Sequence, residues 1–150
     1  MTVALKSCSA SIDHDLYFDV SRKEKGKKPR RRIEESYSVI GIGDNFFDCE
    51  GAFVVSMFDP ARTEVRLLNV ECTYEVHMHA QPELLNHGLV KKFTDSQLRL
   101  VLLPFARQFV TETTAKMVIP PVFMPLAVSA DRGKSSPRAS VAKKEHDVKD

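Results

Sequence analysis

The stretch LNVECTYEVHM, residues 68–78, decides the fold. Leu68, Val70, Cys72, Tyr74, Val76 and Met78 alternate with Asn69, Glu71, Thr73, Glu75 and His77. A period of two puts the apolar set on one side of a pleated strand and the polar set on the other. Just upstream, 52–58 is a short apolar run that includes Val54 and Val55. Asp59, Pro60, Ala61 and Arg62 separate the two runs. Proline presets φ for the second position of a turn and aspartate suits the first. Two strands joined in this way predict an antiparallel hairpin with one dry face and one wet face.

Toward the N-terminus, residues 8–20 alternate in the same manner. Cys8, Ala10, Ile12, Leu16, Phe18 and Val20 fall on one side, and Ser9, Ser11, Asp13, Asp15, Tyr17 and Asp19 on the other. This predicts a further strand. The run SRKEKGKKPRRR at 21–32 breaks the pattern, and its glycine, proline and charge predict an exposed basic loop over 21–34. Residues 36–47 predict another strand, with Gly41 and Gly43 marking a bulge or a close backbone approach and Asp44 and Asn45 a turn or kink.

Toward the C-terminus, 79–93 reads as a connector with a helical turn near 83–85, because Gly88 argues against a long helix there. A helix capped by Asp95 or Ser96 follows. Its apolar stripe is Leu98, Leu102, Phe105, Phe109, Thr113 and Met117. Pro104 kinks or restarts it, and Ile119, Pro120 and Pro121 end it. Residues 122–128 read as extended, and 131–150 as a basic disordered tail. Strands followed by helix predict an α+β domain over 1–130, a four-stranded antiparallel sheet packed on one long kinked helix. The polar sheet face should be acidic, carrying Asp13, Asp15, Asp19, Glu71 and Glu75. One helix cannot cover four strands, so a homo-oligomer is expected, with Leu98, Leu102, Phe105 and Phe109 at its interface.

With 150 residues, 43% of them hydrophobic, the chain supports one core. Its net charge of +2 conceals a segregation. The run 21–32 holds eight Lys or Arg against one Glu, and 131–150 holds six against four acids, which leaves the remaining body at −7. The body and the basic pieces should therefore attract different partners. There is no apolar run long enough for a transmembrane helix, so no membrane insertion is expected. No basic-then-apolar leader opens the sequence. Three cysteines without a CxxC pair point to reduced thiols and a cytoplasmic location.

Candidate sites follow from residue type. Phe46, Phe47, Leu84, Leu85, Leu89, Val90 and Phe93, with Val122, Phe123 and Met124, are apolar residues outside the main predicted elements or at their ends. They form the candidate client surface, because aromatic and methionine side chains repack against many sequences. His77 and His79 share a strand face, but a metal would need further ligands such as Glu75 or His87, and solvent-facing histidines are the simpler account. No metal or cofactor is expected. The basic loop lacks interleaved aromatics for base stacking, so sequence-specific nucleic-acid reading is not expected. Attraction to a polyanion or an acidic partner remains an alternative role for the loop and tail. No nucleophile elbow, phosphate-binding glycine loop or zinc-protease pattern is present, and an enzyme is not expected.

The stretch LVLLPFARQFVTETTAKMVIPPVFMPLAV resembles the SecB family of export chaperones. The matching residues are Leu103, Pro104, Phe105, Ala106 and Arg107 in the helix, then Pro120, Pro121 and Val122 in the extended segment. The hairpin over 52–78 and the sequence DLYFD at 15–19 add to the resemblance, which covers roughly 3–128. It implies a four-stranded antiparallel sheet with helices on one face, and a tetramer built as a dimer of dimers. It also implies an ATP-independent holdase that binds unfolded polypeptide clients in apolar grooves and hands preproteins to SecA. In the family, SecA docks on acidic side chains of the sheet's solvent face. Asp15 and Asp19 match by position, and Glu71 and Glu75 lie on the same predicted face, whereas the acid expected in the fourth strand falls at Asn69. Some divergent members protect an antitoxin, and no residue here chooses between that role and export. After the Pro-Pro-Val match, Phe123, Met124 and Pro125 replace the usual lead into a second helix, which is expected to be short or absent.

Overall fold

The computed structural model describes residues 1–23 and 28–125. The centre of the basic run, the end of the 122–128 segment and the expected tail lie outside the described residues. The elements are β1 (Thr2–Ile12), α1 (His14–Lys23), β2 (Arg30–Ile42), β3 (Phe46–Phe58) and β4 (Arg66–His79). A 3-10 turn (Pro82–Leu84), α2 (His87–Ser96) and α3 (Leu98–Lys116) follow. The four strands form one antiparallel sheet in the order β1-β4-β3-β2, and the helices complete an α+β fold.

Four local expectations are corrected. The strand expected over 8–20 ends at Ile12, and the chain turns into α1. Asp13 caps that helix, its Oδ1 accepting the Leu16 N–H at 3.0 Å. Alternation and helical spacing are hard to separate over so few residues. Tyr17, assigned to the wet side, is buried with Val20, and Phe18 is exposed. The basic loop is shorter than expected, because Arg30, Arg31 and Arg32 already belong to β2. The single long helix expected after the strands is two helices, α2 and α3. Asn86 caps α2, accepting the Leu89 N–H at 2.8 Å, and Gly88 is tolerated in its first turn. Asp95 and Ser96 close α2 and do not open α3. Finally, α3 does not restart at Pro104, which lies inside it. The missing N–H there frees the Leu100 carbonyl on an exposed side of the helix, open to solvent.

The buried stripe of α3 is Leu98, Leu102, Leu103, Ala106, Val110 and Thr114. Phe105 is therefore rotated outward and is 43% exposed. Small residues on the buried side let α3 lie close to the sheet. The row beneath it is large-small-large: Tyr37 and Tyr74 flank Gly51 on the neighbouring strands. Leu102 drops into the gap, its Cδ1 only 2.4 Å from where a Cβ on Gly51 would stand. Tyr74 then reaches α3 directly, its hydroxyl donating to the Phe105 carbonyl at 3.1 Å. On the other side Arg99 joins α3 to β2 through Glu35 at 2.7 Å, and Tyr37 donates to the same carboxylate at 2.9 Å.

Coverage of the sheet is incomplete. Register places Leu5, Cys8 and Ala10 of β1 on the same face as Tyr74, Cys72 and Val70, which the helices bury. All three β1 residues are exposed, Leu5 at 46%. Only the ends of β1 reach the core, through Val3 and Ile12, and its middle is left open.

α3 ends in a left-handed residue, Val118, at φ 59°. A β-branched side chain is strained there, and the position favours glycine. Val118 is 81% exposed and packs little. Val118→Gly should therefore stabilise the fold by about 1 kcal/mol, read as a rise in Tm of roughly 3 °C. An unchanged or lower Tm would show that the strain is relaxed in solution.

Candidate functional site

Beyond Val118 the chain doubles back along α3 and is pinned by its backbone. The Thr114 hydroxyl donates to the Val110 carbonyl at 2.8 Å and accepts the Val122 N–H at 3.0 Å. The Thr111 hydroxyl donates to the Val122 carbonyl at 3.4 Å, and Arg31 of β2 donates to the Phe123 carbonyl. Ile119, Val122 and Met124 turn into the core. Phe123 points away from it and is 62% exposed. The result is a large aromatic ring facing solvent on a segment whose backbone is fixed.

Open cavities lie on both sides of that ring. One, of about 610 Å³, has an apolar floor of Tyr17, Met57, Pro120, Pro121 and Val122, with Lys28, Pro29 and Arg31 at its rim. The other, of about 450 Å³, is formed by Pro104, Arg107, Gln108, Thr111 and Glu112 of α3. Phe123 belongs to both. A third cavity of about 330 Å³ lies round the start of β2, between Arg30, Arg31, Arg32, Phe58 and Thr63, and shares Arg31 with the first. The Arg66 guanidinium stands over the Phe58 ring at 5.8 Å.

The client residues expected from the sequence do not gather in one place. Phe46, Phe47, Leu84, Leu85, Leu89, Val90 and Phe93 lie at the end of the sheet where β3 begins. Val122, Phe123 and Met124 belong to the opposite end, where Met57 lines the cavity beside Phe123. Phe47, Val90, Val122 and Met124 are buried, while Leu84, Leu89 and Phe123 are exposed. Phe47 is held edge-on by Phe93 at 5.6 Å. Tyr17 and Met57 were missed, and Arg30, Arg31 and Arg32 were expected in an exposed basic loop rather than on a strand beside the site. The signal for Tyr17 was present, since Leu16, Tyr17 and Val20 have helical spacing behind the cap at Asp13. Of the expected interface residues, Leu98 and Leu102 are fully buried within the chain, Phe109 is half-buried and only Phe105 is exposed.

The acidic face is also redrawn. Asp13 precedes α1, and Asp15 and Asp19 lie on it rather than on the sheet. Glu71 and Glu75 do share the outer face, with Glu34, Asp48 and Glu50. Asn69 is satisfied locally, accepting from Ser56 at 2.7 Å and donating to Glu71 at 2.6 Å. Beside the cross-strand pair Glu50 and Glu75, the Lys6 ammonium lies 2.5 Å from Glu50. Hydrogen bonding and the charge of Glu50 raise the Lys6 pKa. His77 engages Asp48 at 2.6 Å and stacks edge-on with His79. Among the described residues no three His, Cys, Asp or Glu side chains come together as a metal-binding set. None of the described helices is long and apolar enough to cross a membrane.

No family model matches the sequence, and no curated protein is similar to it. Among solved structures, the chain is similar to the SecB-like chaperone Rv1957 of Mycobacterium tuberculosis, solved in complex with a ChAD peptide from the HigA1 antitoxin. The TM-score is 0.69 at 12% identity, covering 86% of this chain and 89% of that one. A protein of unknown function from Streptococcus agalactiae is similar with a TM-score of 0.39 at 11% identity, covering 83% of this chain and 94% of that one. The first likeness shows that the chain has a SecB-like fold.

Proposed function

We propose that this protein is an ATP-independent holdase that keeps non-native polypeptides from aggregating by burying their apolar segments around Phe123. The observation that carries the reading is a rigidly held aromatic ring left in solvent between two open cavities. Burying a phenylalanine is worth about 2–3 kcal/mol, so leaving one exposed on a fixed segment favours a partner that covers it. Several such contacts along one client chain sum to useful affinity. The SecB-like fold supports polypeptide clients, as the neighbour of that fold was solved holding a peptide. Both preprotein export and antitoxin protection use clients of this kind. The location of Asp15 and Asp19 on α1 weakens the case for SecA docking across the sheet.

The assay is light scattering from a chemically unfolded test protein of near-neutral charge, with this protein added at increasing ratio. Suppression that saturates and survives about 0.5 M salt supports the groove, since screening at that ionic strength removes charge-driven capture. No suppression, or suppression lost with salt, replaces the holdase with an adaptor for polyanions or acidic partners acting through its basic segments.

We further propose that a second copy covers the open strip formed by Leu5, Cys8 and Ala10 of β1, continuous through Tyr74 with Phe105. The resemblance extends this to a dimer of dimers. Cys8 reports the contact. Cys72 is buried, which pushes its thiol up to about 11, and burial also raises Cys49. The thiolate is the reactive form, so near pH 8 both core thiols stay protonated and labelling reads Cys8 alone. Cys8 should label slowly in concentrated protein and fast on dilution, in step with the mass measured by light scattering. Fast labelling at every concentration, with a monomer mass, would remove the interface.

A further inference from the structure

We infer that the preferred client carries acidic side chains on one flank of its apolar segment. The inference rests on the holdase reading and specifies the partner's chemistry. The cavity with the apolar floor and the cavity round the start of β2 meet at Arg31. Lys28, Arg30, Arg31 and Arg32 line the pair, and among the described residues no carboxylate lines either one.

Neither Asp59 nor Glu34 lines these cavities. Asp59 is turned into the hairpin turn, accepting from the Ala61 N–H at 2.8 Å and from Arg62 at 2.9 Å. Those backbone and guanidinium contacts hold its carboxyl below the usual aspartate range. Glu34 pairs with Arg32 on the surface. Arg31 spends its guanidinium on the Phe123 carbonyl, which leaves Lys28 and Arg30 to meet a client.

The asymmetry sets the direction. The cavity on the far side of Phe123 carries one cation and one anion, Arg107 and Glu112, and gives no net preference. A client segment lying over Phe123 therefore meets positive charge at one end only. Arginine is suited to this, since its fork takes a carboxylate bidentately while its plane rests on an apolar surface. Rim charges of this kind act on specificity and on-rate.

The test uses three labelled peptides with one apolar core, flanked on one side by two aspartates, two serines or two lysines, titrated by fluorescence anisotropy. At low salt the aspartate peptide should bind about tenfold tighter than the serine peptide, and the lysine peptide more weakly than either. At about 0.5 M salt the three should converge. The double variant K28S/R30S should abolish the spread while the serine peptide still binds; both side chains are exposed, so folding is preserved. Equal affinities at low salt, or a preference for lysine, would overturn the inference while leaving the holdase intact. Failure of all three to bind would overturn the holdase reading and the inference with it. Binding of an oligo-aspartate without the apolar core, as tight as the aspartate peptide, would show a polyanion site and overturn the inference too.

Discussion

Gly51→Val should abolish the cooperative fold, and Gly51→Ala should cost about 2–3 kcal/mol. A Cβ at this position would lie 2.4 Å from Leu102 Cδ1 and 3.1 Å from the Tyr37 ring. Leu102 has no room to retreat, being fully buried between the sheet and α3. Inserting one methyl group into a filled core typically costs 1–3 kcal/mol. Against this, alanine regains up to about 1 kcal/mol of chain entropy that glycine loses in a strand. The close contact makes the first effect dominate. Valine adds two more methyl groups against Tyr37, Tyr74 and Leu102 in a fold whose whole stability is of order 5–15 kcal/mol. The measurement is urea unfolding with a double-mutant cycle. Leu102→Ala alone should cost about 2–5 kcal/mol through the cavity it leaves. Combined with Gly51→Ala, it should cost less than the sum, because the new methyl group occupies part of that cavity. Additive costs would mean that the helix does not rest on the sheet at Gly51.

That glycine also marks where the sequence stopped being legible. The hairpin of β3 and β4 could be read because Leu68, Val70, Cys72, Tyr74, Val76 and Met78 combine strict alternation with β-branched and aromatic side chains. The first half of β3 could not. Phe47, Cys49, Gly51, Phe53 and Val55 all face inward, but the pattern shows only if glycine counts as an inward residue, which it does solely because Leu102 needs the space. The same kind of error rotated α3. Its stripe was traced through the largest side chains, Phe105 and Phe109, whereas the helix buries Ala106 and Val110 to come close to the sheet. Side-chain size marks hydrophobic payload, but close packing is decided by what the opposite surface leaves room for.

The site was less legible than the fold for a related reason. Phe123 was named from its type and from its position after Pro120 and Pro121, both local. Its partners come from α1, β2, β3 and α3, distant segments that the sheet order alone brings together. Grouping Phe123 with Leu84 and Leu89 assumed that unassigned apolar residues share a surface. The two groups belong to opposite ends of β3, whose thirteen residues span roughly 40 Å at about 3.3 Å per residue.

That separation makes Phe123→Asp decisive. The variant should lose nearly all suppression of aggregation while its Tm stays close to the parent's. Its backbone anchors do not involve the ring: Arg31 holds the Phe123 carbonyl, and Thr111 and Thr114 hold Val122. Substituting a mostly exposed side chain away from such anchors usually changes stability by no more than about 0.5 kcal/mol. Binding suffers twice, since the apolar contact of about 2–3 kcal/mol is lost and a carboxylate must be desolvated under the client. Affinity should fall more than about fiftyfold, a factor that 2.3 kcal/mol alone supplies. Phe123→Leu should keep most of the activity, because area rather than aromaticity is required. Leu84→Asp with Leu89→Asp, at the other end of the sheet, should leave suppression unchanged. The reverse outcome, a silent Phe123→Asp and an inactive Leu84 and Leu89 pair, would move the client to the end of the sheet where β3 begins. The cavities around Phe123 would then have no part in holding it.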